Sequence, residues 1–155
     1  ETLIYVAIIG GVVLTFSRFS LSISSLKNKN FVIQEVQTNS RIAMNIISSY
    51  IRQAEAVITP QKGTSSPFLI LDMPDTSDNI KFELIDGTIY YQNGTETAMN
   101  TQSNLVNVSE LEFTNLASDY SKDSIKINYQ ANYKYNSSLD FQYAYNLETT
   151  TSINK

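Results

Sequence analysis

Asp72, Asp75 and Asp78 stand at intervals of three, the first grouping in this 155-residue chain with the chemistry of a ligand set. Carboxylate oxygens suit a hard cation such as calcium. Their spacing fits no EF-hand, and Pro74 and Ser77 make a solvated turn the plainer reading. Asn93, Asn107 and Asn136 each begin an Asn-x-Ser/Thr triplet, the acceptor pattern for N-glycosylation. In a chain this rich in Asn, Ser and Thr such triplets also arise by chance. Tyr133, Tyr135, Tyr143 and Tyr145 offer rings and hydroxyls for recognition, although their alternate spacing is first of all that of sheet faces. One further carboxylate stands apart, Glu1, placed before the apolar run TLIYVAIIGGVVLTF.

Little else supports catalysis. The chain has no Cys and no His. That removes any disulfide framework, the commonest metal ligands and the commonest general base. Neither a nucleophile–base pair nor a phosphate loop is visible, so we expect no enzyme and no cofactor. Charge is unevenly placed. Residues 1–60 carry five Lys or Arg against three Glu, net +2, and residues 61–155 carry six Lys against twelve acids, net −6. An acidic second part argues against direct nucleic-acid binding, whose footprint is a basic face.

The elements that would position these groups follow from periodicity. Residues 2–17 carry no charge. As a helix they would span roughly 24 Å, slightly short of the ~20 apolar residues that a bilayer core needs. Uncharged residues resume after Arg18 and continue to Leu26. An arginine there can snorkel to an interface. From Phe31 onward Val32, Val36, Ala43, Ile47, Tyr50, Ala54 and Val57 recur at helical spacing. No Pro or Gly interrupts residues 12–59, and Thr59-Pro60 marks the stop. We therefore expect one helix to Ile58, about 87 Å long. Ile42, Ile46, Ile47, Tyr50, Ile51 and Ala54 are expected to face the core.

After the loop 61–67 the period becomes two. Phe68–Met73 reads as a strand. Ile80, Phe82 and Leu84 alternate, Asp86-Gly87 signals a hairpin, Thr88–Gln92 returns, and Asn93-Gly94 is a second turn signal. Val106, Val108, Leu111 and Phe113 suggest a strand with an irregularity. Ile125 to Tyr135 and Phe141 to Leu147 alternate strictly. The fold class is α+β: a hydrophobic stem over 1–26, then a head over 27–155. In the head, an amphipathic helix half (27–58) covers one antiparallel sheet (68–153).

The stretch E-T-L-I-Y-V-A-I-I-G resembles the mature N-terminus of the type IV pilin and pseudopilin family, whose members begin with a Phe-Thr-Leu-Ile-Glu-like motif and an apolar helix. The first-ranked register sets Glu1 on the family's glutamate, with Ala7 and Gly10 on the small residues that follow. About four apolar residues would then precede Glu1. A second register sets Thr2-Leu3-Ile4 on the family's Thr-Leu-Ile but puts Tyr5 where the glutamate belongs. The resemblance covers roughly the first 16 residues.

It implies that Glu1 meets the amino terminus of a neighbouring subunit during assembly. Leu3, Ile4, Val6, Ile8, Ile9, Val12, Val13, Leu14 and Phe16 would form the filament core. Gly10 and Gly11 would mark where the helix unwinds or packs closely. Many relatives carry a proline about eight residues later, where this chain has Arg18. The implied partners are copies of the chain, the cytoplasmic membrane before assembly, the prepilin peptidase and the pilus assembly machinery. The implied role is a structural, major subunit of a surface filament serving adhesion, motility or DNA uptake. The alternatives are a minor pilin or secretion pseudopilin, and, from another class, a monomeric membrane-tethered adhesin or ligand-binding head.

Overall fold

Straight-chain, β-branched and small residues without proline run unbroken through the first third of the chain, and the backbone they form is a single helix. In the computed structural model, which describes residues 2–74, 79–94, 99–101, 103–118, 122–135 and 141–154, helix α1 spans Thr2–Gln53. Its 52 residues extend roughly 78 Å. Among the described residues nine strands follow: β1 (Ala56–Thr59), β2 (Ser65–Ser66), β3 (Phe68–Asp72), β4 (Ile80–Ile85), β5 (Thr88–Asn93), β6 (Met99–Asn100), β7 (Val106–Asn115), β8 (Ser124–Tyr133) and β9 (Ala144–Ser152). One long N-terminal helix packed on antiparallel β-structure is the α+β architecture expected.

Three expectations need correction. The helix stops at Gln53 rather than Ile58, because Ala56–Thr59 pairs with β3 instead of continuing the turn. β-branched Val57, Ile58 and Thr59 favour that pairing. Second, the strands form two antiparallel sheets, not one: β1-β3-β4-β5-β6 and β2-β7-β8-β9. Two residues of the presumed 61–67 loop supply β2, which pairs with Thr114 and Phe113. Third, Ile42 is 47% exposed and lies outside the core. The helix buries Val32, Val36, Asn39, Ser40, Ala43, Met44, Ile47, Ser48 and Ile51 instead, a stripe rotated away from Ile42. Ile46 and Tyr50 pack on the core at its margin.

The four-stranded sheet receives the helix. Ile125, Ile127, Tyr129, Ala131 and Tyr133 alternate inward along β8, and Phe113 is fully buried on β7. The irregularity anticipated in β7 is a bulge between Val108 and Glu110. It inserts one residue without reversing the burial of Leu111 and Phe113. The five-stranded sheet adds Leu69, Leu71, Ile80, Phe82 and Ile89 to the same core. Tyr50 packs α1 on the five-stranded sheet, its ring 5.6 Å from Phe82 and 5.7 Å from Tyr91.

Polar pairs fix the helix in register on the sheet. Ser40 Oγ bridges Val36 O (2.6 Å) and the Tyr129 hydroxyl (3.1 Å). Thr151 Oγ1 donates to Ser48 Oγ, and Gln37 Nε2 to the Tyr143 hydroxyl. Burial pushes the Tyr129 phenol above its ordinary value of 10.0, against the opposing effect of the Ser40 hydrogen bond. The folded state therefore holds this proton more tightly than the unfolded chain, and this contribution to stability is lost as pH rises above 10.

The Asp86-Gly87 turn has positive φ at both residues, 48° and 74°, as a two-residue I′ hairpin requires. A Cβ on Gly87 would collide with Asn107 Oδ1. Gly87→Ala is therefore expected to lower stability by about 1–3 kcal/mol through backbone strain and displacement of Asn107. Thermal unfolding should show a clear drop in Tm, partly recovered by adding Asn107→Ala. An unchanged Tm would contradict the turn assignment.

Burial along the helix begins at Val32. A chain starting at Lys27 is accordingly expected to be soluble and monomeric and to unfold in one cooperative transition. Aggregation, or no transition, would show that the first 26 residues belong to the folding unit.

Candidate functional site

Residues Thr2 to Leu26 project from the head with no described element beside them. Leu3 is 83% exposed and Phe16 72%, and Ile4, Val6, Ile8, Ile9, Val12, Val13 and Leu14 are also exposed. Fourteen large apolar side chains from Leu3 to Leu26 face outward. At ~1.5 kcal/mol or more for each side chain buried, covering them is worth on the order of 20 kcal/mol. A surface of this size is not left to water. The helix is long and apolar enough to cross a membrane, and none of that stretch is buried within the chain. It can therefore anchor the protein in a membrane.

Two hydroxyls within this stem look inward to the backbone. Thr15 Oγ1 donates to Gly11 O and Ser17 Oγ to Val13 O, each at 2.8 Å. These bonds satisfy groups that an apolar environment would otherwise penalise, and such back-bonding weakens and bends helices slightly. Gly10 and Gly11 sit inside the helix, and a Cβ at either would meet nothing within 4 Å. Nothing in the chain itself requires glycine there. Their bare surface faces whatever covers the stem.

The stem's first charge after Glu1 is Arg18, which is exposed. Glu1 itself lies outside the described residues, so its surroundings are not described.

The other candidate residues are dispersed. Asp72 ends β3, where its carbonyl accepts from Glu55 N at 2.8 Å. Asp75 and Asp78 fall outside the described residues, and among the described residues no three His, Cys, Asp or Glu side chains are grouped to hold a metal. Asn93 ends β5 with its Oδ1 buried, and Thr95 of its triplet is outside the described residues, as is Asn136. Asn107 lies within β7, and its Nδ2, the atom that would carry a glycan, donates to Asn132 Oδ1 at 3.2 Å. Tyr133 is buried, its ring 6.5 Å from Phe31, 6.2 Å from Tyr135 and 6.0 Å from Phe141. Tyr135 is 57% exposed, whereas Tyr143 and Tyr145 pack on the core margin. These tyrosines serve packing first, and Tyr135 alone presents most of its surface.

The structure also shows a feature that sequence reasoning missed. Arg41, Asn45, Ser48 and Arg52 fall on one line of α1 beside strand β9, bordering a groove of about 350 Å³. The signal was present as the spacing of Arg41 and Arg52 by eleven residues, three helical turns.

Comparison with protein-family models, with curated proteins and with solved structures finds no match to this chain.

Proposed function

We propose that this chain is a structural subunit of a type IV pilus-like surface filament, polymerising through the stem of α1, with the acidic head facing solvent. One observation carries the reading. The exposed apolar stem is continuous with the helix that buries Val32, Val36, Ala43 and Ile47 against the head, so stem and head share one unbroken helix. A simple tether needs no such coupling. A filament does, because the position of each stem in the core then sets the position of each head on the surface.

The N-terminal motif supports the same reading. In the membrane the stem's apolar side chains are covered by lipid. On assembly they exchange lipid for neighbouring stems, so they meet water in neither state. Each backbone group in lipid must be paired internally, which the unbroken helix Thr2–Gln53 provides. The prepilin peptidase and the pilus assembly machinery are the partners this route requires.

Electron microscopy of sheared surface fibres, with mass spectrometry of their components, tests the proposal. The chain is expected as the main component. Trace amounts at fibre ends would favour a minor pilin or a pseudopilin. Recovery solely as a membrane-bound monomer would contradict the filament and favour a tethered adhesin.

A further inference from the structure

Strand β9 is an edge strand: β8 pairs with it on one side over nine continuous residues, Ala144 to Ser152. Edge strands leave half of their backbone groups unpaired, and proteins ordinarily blunt them with proline, lysine or bulges. β9 has none of these. Among the described residues, no backbone group from Tyr145 to Thr151 bonds beyond β8. Alongside runs the groove lined by Arg41, Asn45, Ser48 and Arg52 of α1 and by Thr150 of β9. Both arginines are exposed, and among the described residues neither forms a salt bridge. Glu148 also borders the groove, but its carboxylate is held by Lys126 at 3.0 Å. The groove thus presents two uncompensated positive charges roughly 16 Å apart along the helix.

The other side of the same sheet has the opposite character. Ser109 and Glu110 at the bulge, then Glu112, point away from the helix. Of these, Glu110 lines a shallow polar depression together with Asn128, Gln130, Asn146 and Glu148, while Lys126 on the same face is taken up by Glu148. Glu110 is exposed and Glu112 accepts from Asn128 Nδ2 at 3.2 Å, so neither carboxylate meets a cation among the described residues.

From these two faces we infer that the groove between α1 and β9 receives the acidic outer face of sheet β2-β7-β8-β9 of a second copy of this chain. Charge complementarity selects the partner. The two surfaces adjoin at Glu148 but do not coincide, so the contact is head-to-tail, and such a contact propagates as an open helical assembly unless the rotation closes it. A self-pairing of β9 with β9 would instead close into a two-fold dimer. The inference rests on the filament reading, for which it supplies the contact between heads.

Cysteine cross-linking tests it in the full chain, which has no native cysteine. A chain carrying both Asn45→Cys and Gln130→Cys is expected to yield a ladder of disulfide-linked oligomers when fibres are oxidised. Either substitution alone should give none. In parallel, Arg41→Glu with Arg52→Glu should lower fibre yield at least tenfold. Adding Glu110→Lys and Glu112→Lys to the same chain should restore it. Fibres without a ladder, or charge reversal without effect on yield, would overturn this contact and leave the filament reading standing. Absence of fibres from the wild-type chain would overturn both.

Discussion

Phe113→Ala should cost the head about 3–5 kcal/mol, among the largest losses expected from a single truncation in this protein. Phe113 is fully buried on β7, paired across the sheet with Ile127 and part of the same core as Ile47 and Ile51 of α1. The side chain sits between elements that cannot close on the space it leaves, because the strands are fixed by their ladders and the helix by the Ser40–Tyr129 and Ser48–Thr151 bonds. A domain of this size is ordinarily stable by about 5–15 kcal/mol, so the loss is a large fraction of the whole. Thermal or denaturant unfolding of the full chain in detergent measures it. Ile42→Ala, in the same experiment, should change stability by about 0.5 kcal/mol or less, since Ile42 is half exposed. Equal effects of the two substitutions would contradict the core described above.

Glu1→Ala should abolish incorporation into fibres while leaving the head folded and the stem inserted. A carboxylate bordering an apolar run costs about 2.5–3.5 kcal/mol if carried unpaired to the middle of a bilayer, and pairing with a neighbour's amino terminus relieves it. Lost pairing of that size corresponds to roughly a hundredfold in association. A purely local role predicts something else. A glutamate at a helix N-terminus contributes at most about 1 kcal/mol through the helix dipole, and its removal would leave assembly intact. Fibre yield from the variant, alone and mixed with the parent chain, separates the two. Normal incorporation would refute an assembly role for Glu1.

The strict alternation of Ile125, Ile127, Tyr129, Ala131 and Tyr133 made β8 readable, because a half-buried strand leaves one period and no other. Asp86-Gly87 announced its hairpin for an equally local reason, the need for positive φ at both central residues. The helix end was harder. Ala54 and Val57 extend the apolar spacing of α1 past its true stop, and only the pairing of Ala56–Thr59 with β3 ends it. Ile42 was misplaced because the buried stripe includes Asn39, Ser40 and Ser48, polar residues that a hydrophobic pattern assigns to water. Their partners, Ser103 and Glu35 for Asn39, Tyr129 for Ser40 and Thr151 for Ser48, are mostly distant in sequence. Alternation says which face of a strand is buried but not which strand lies beside it, so two sheets read as one.

The stem was legible as composition, and its exposure follows from the lack of any element to cover it. The Arg41–Arg52 line was present only as a spacing of eleven residues, which acquires meaning beside an open strand edge.

A helical reconstruction of the isolated fibre shows whether the chain polymerises through its stem. Residues 2–26 of every subunit are expected bundled along the axis, stem against stem, with the heads outside. Non-helical backbone is also expected somewhere within residues 10–20. There Gly10 and Gly11 together cost about 1–2 kcal/mol of helix stability, and neighbouring stems can supply new partners. Unbroken helix through that segment would make Gly10 and Gly11 a packing surface alone. A fibre held by head contacts, with the stems outside its core or absent from it, would contradict polymerisation through the stem.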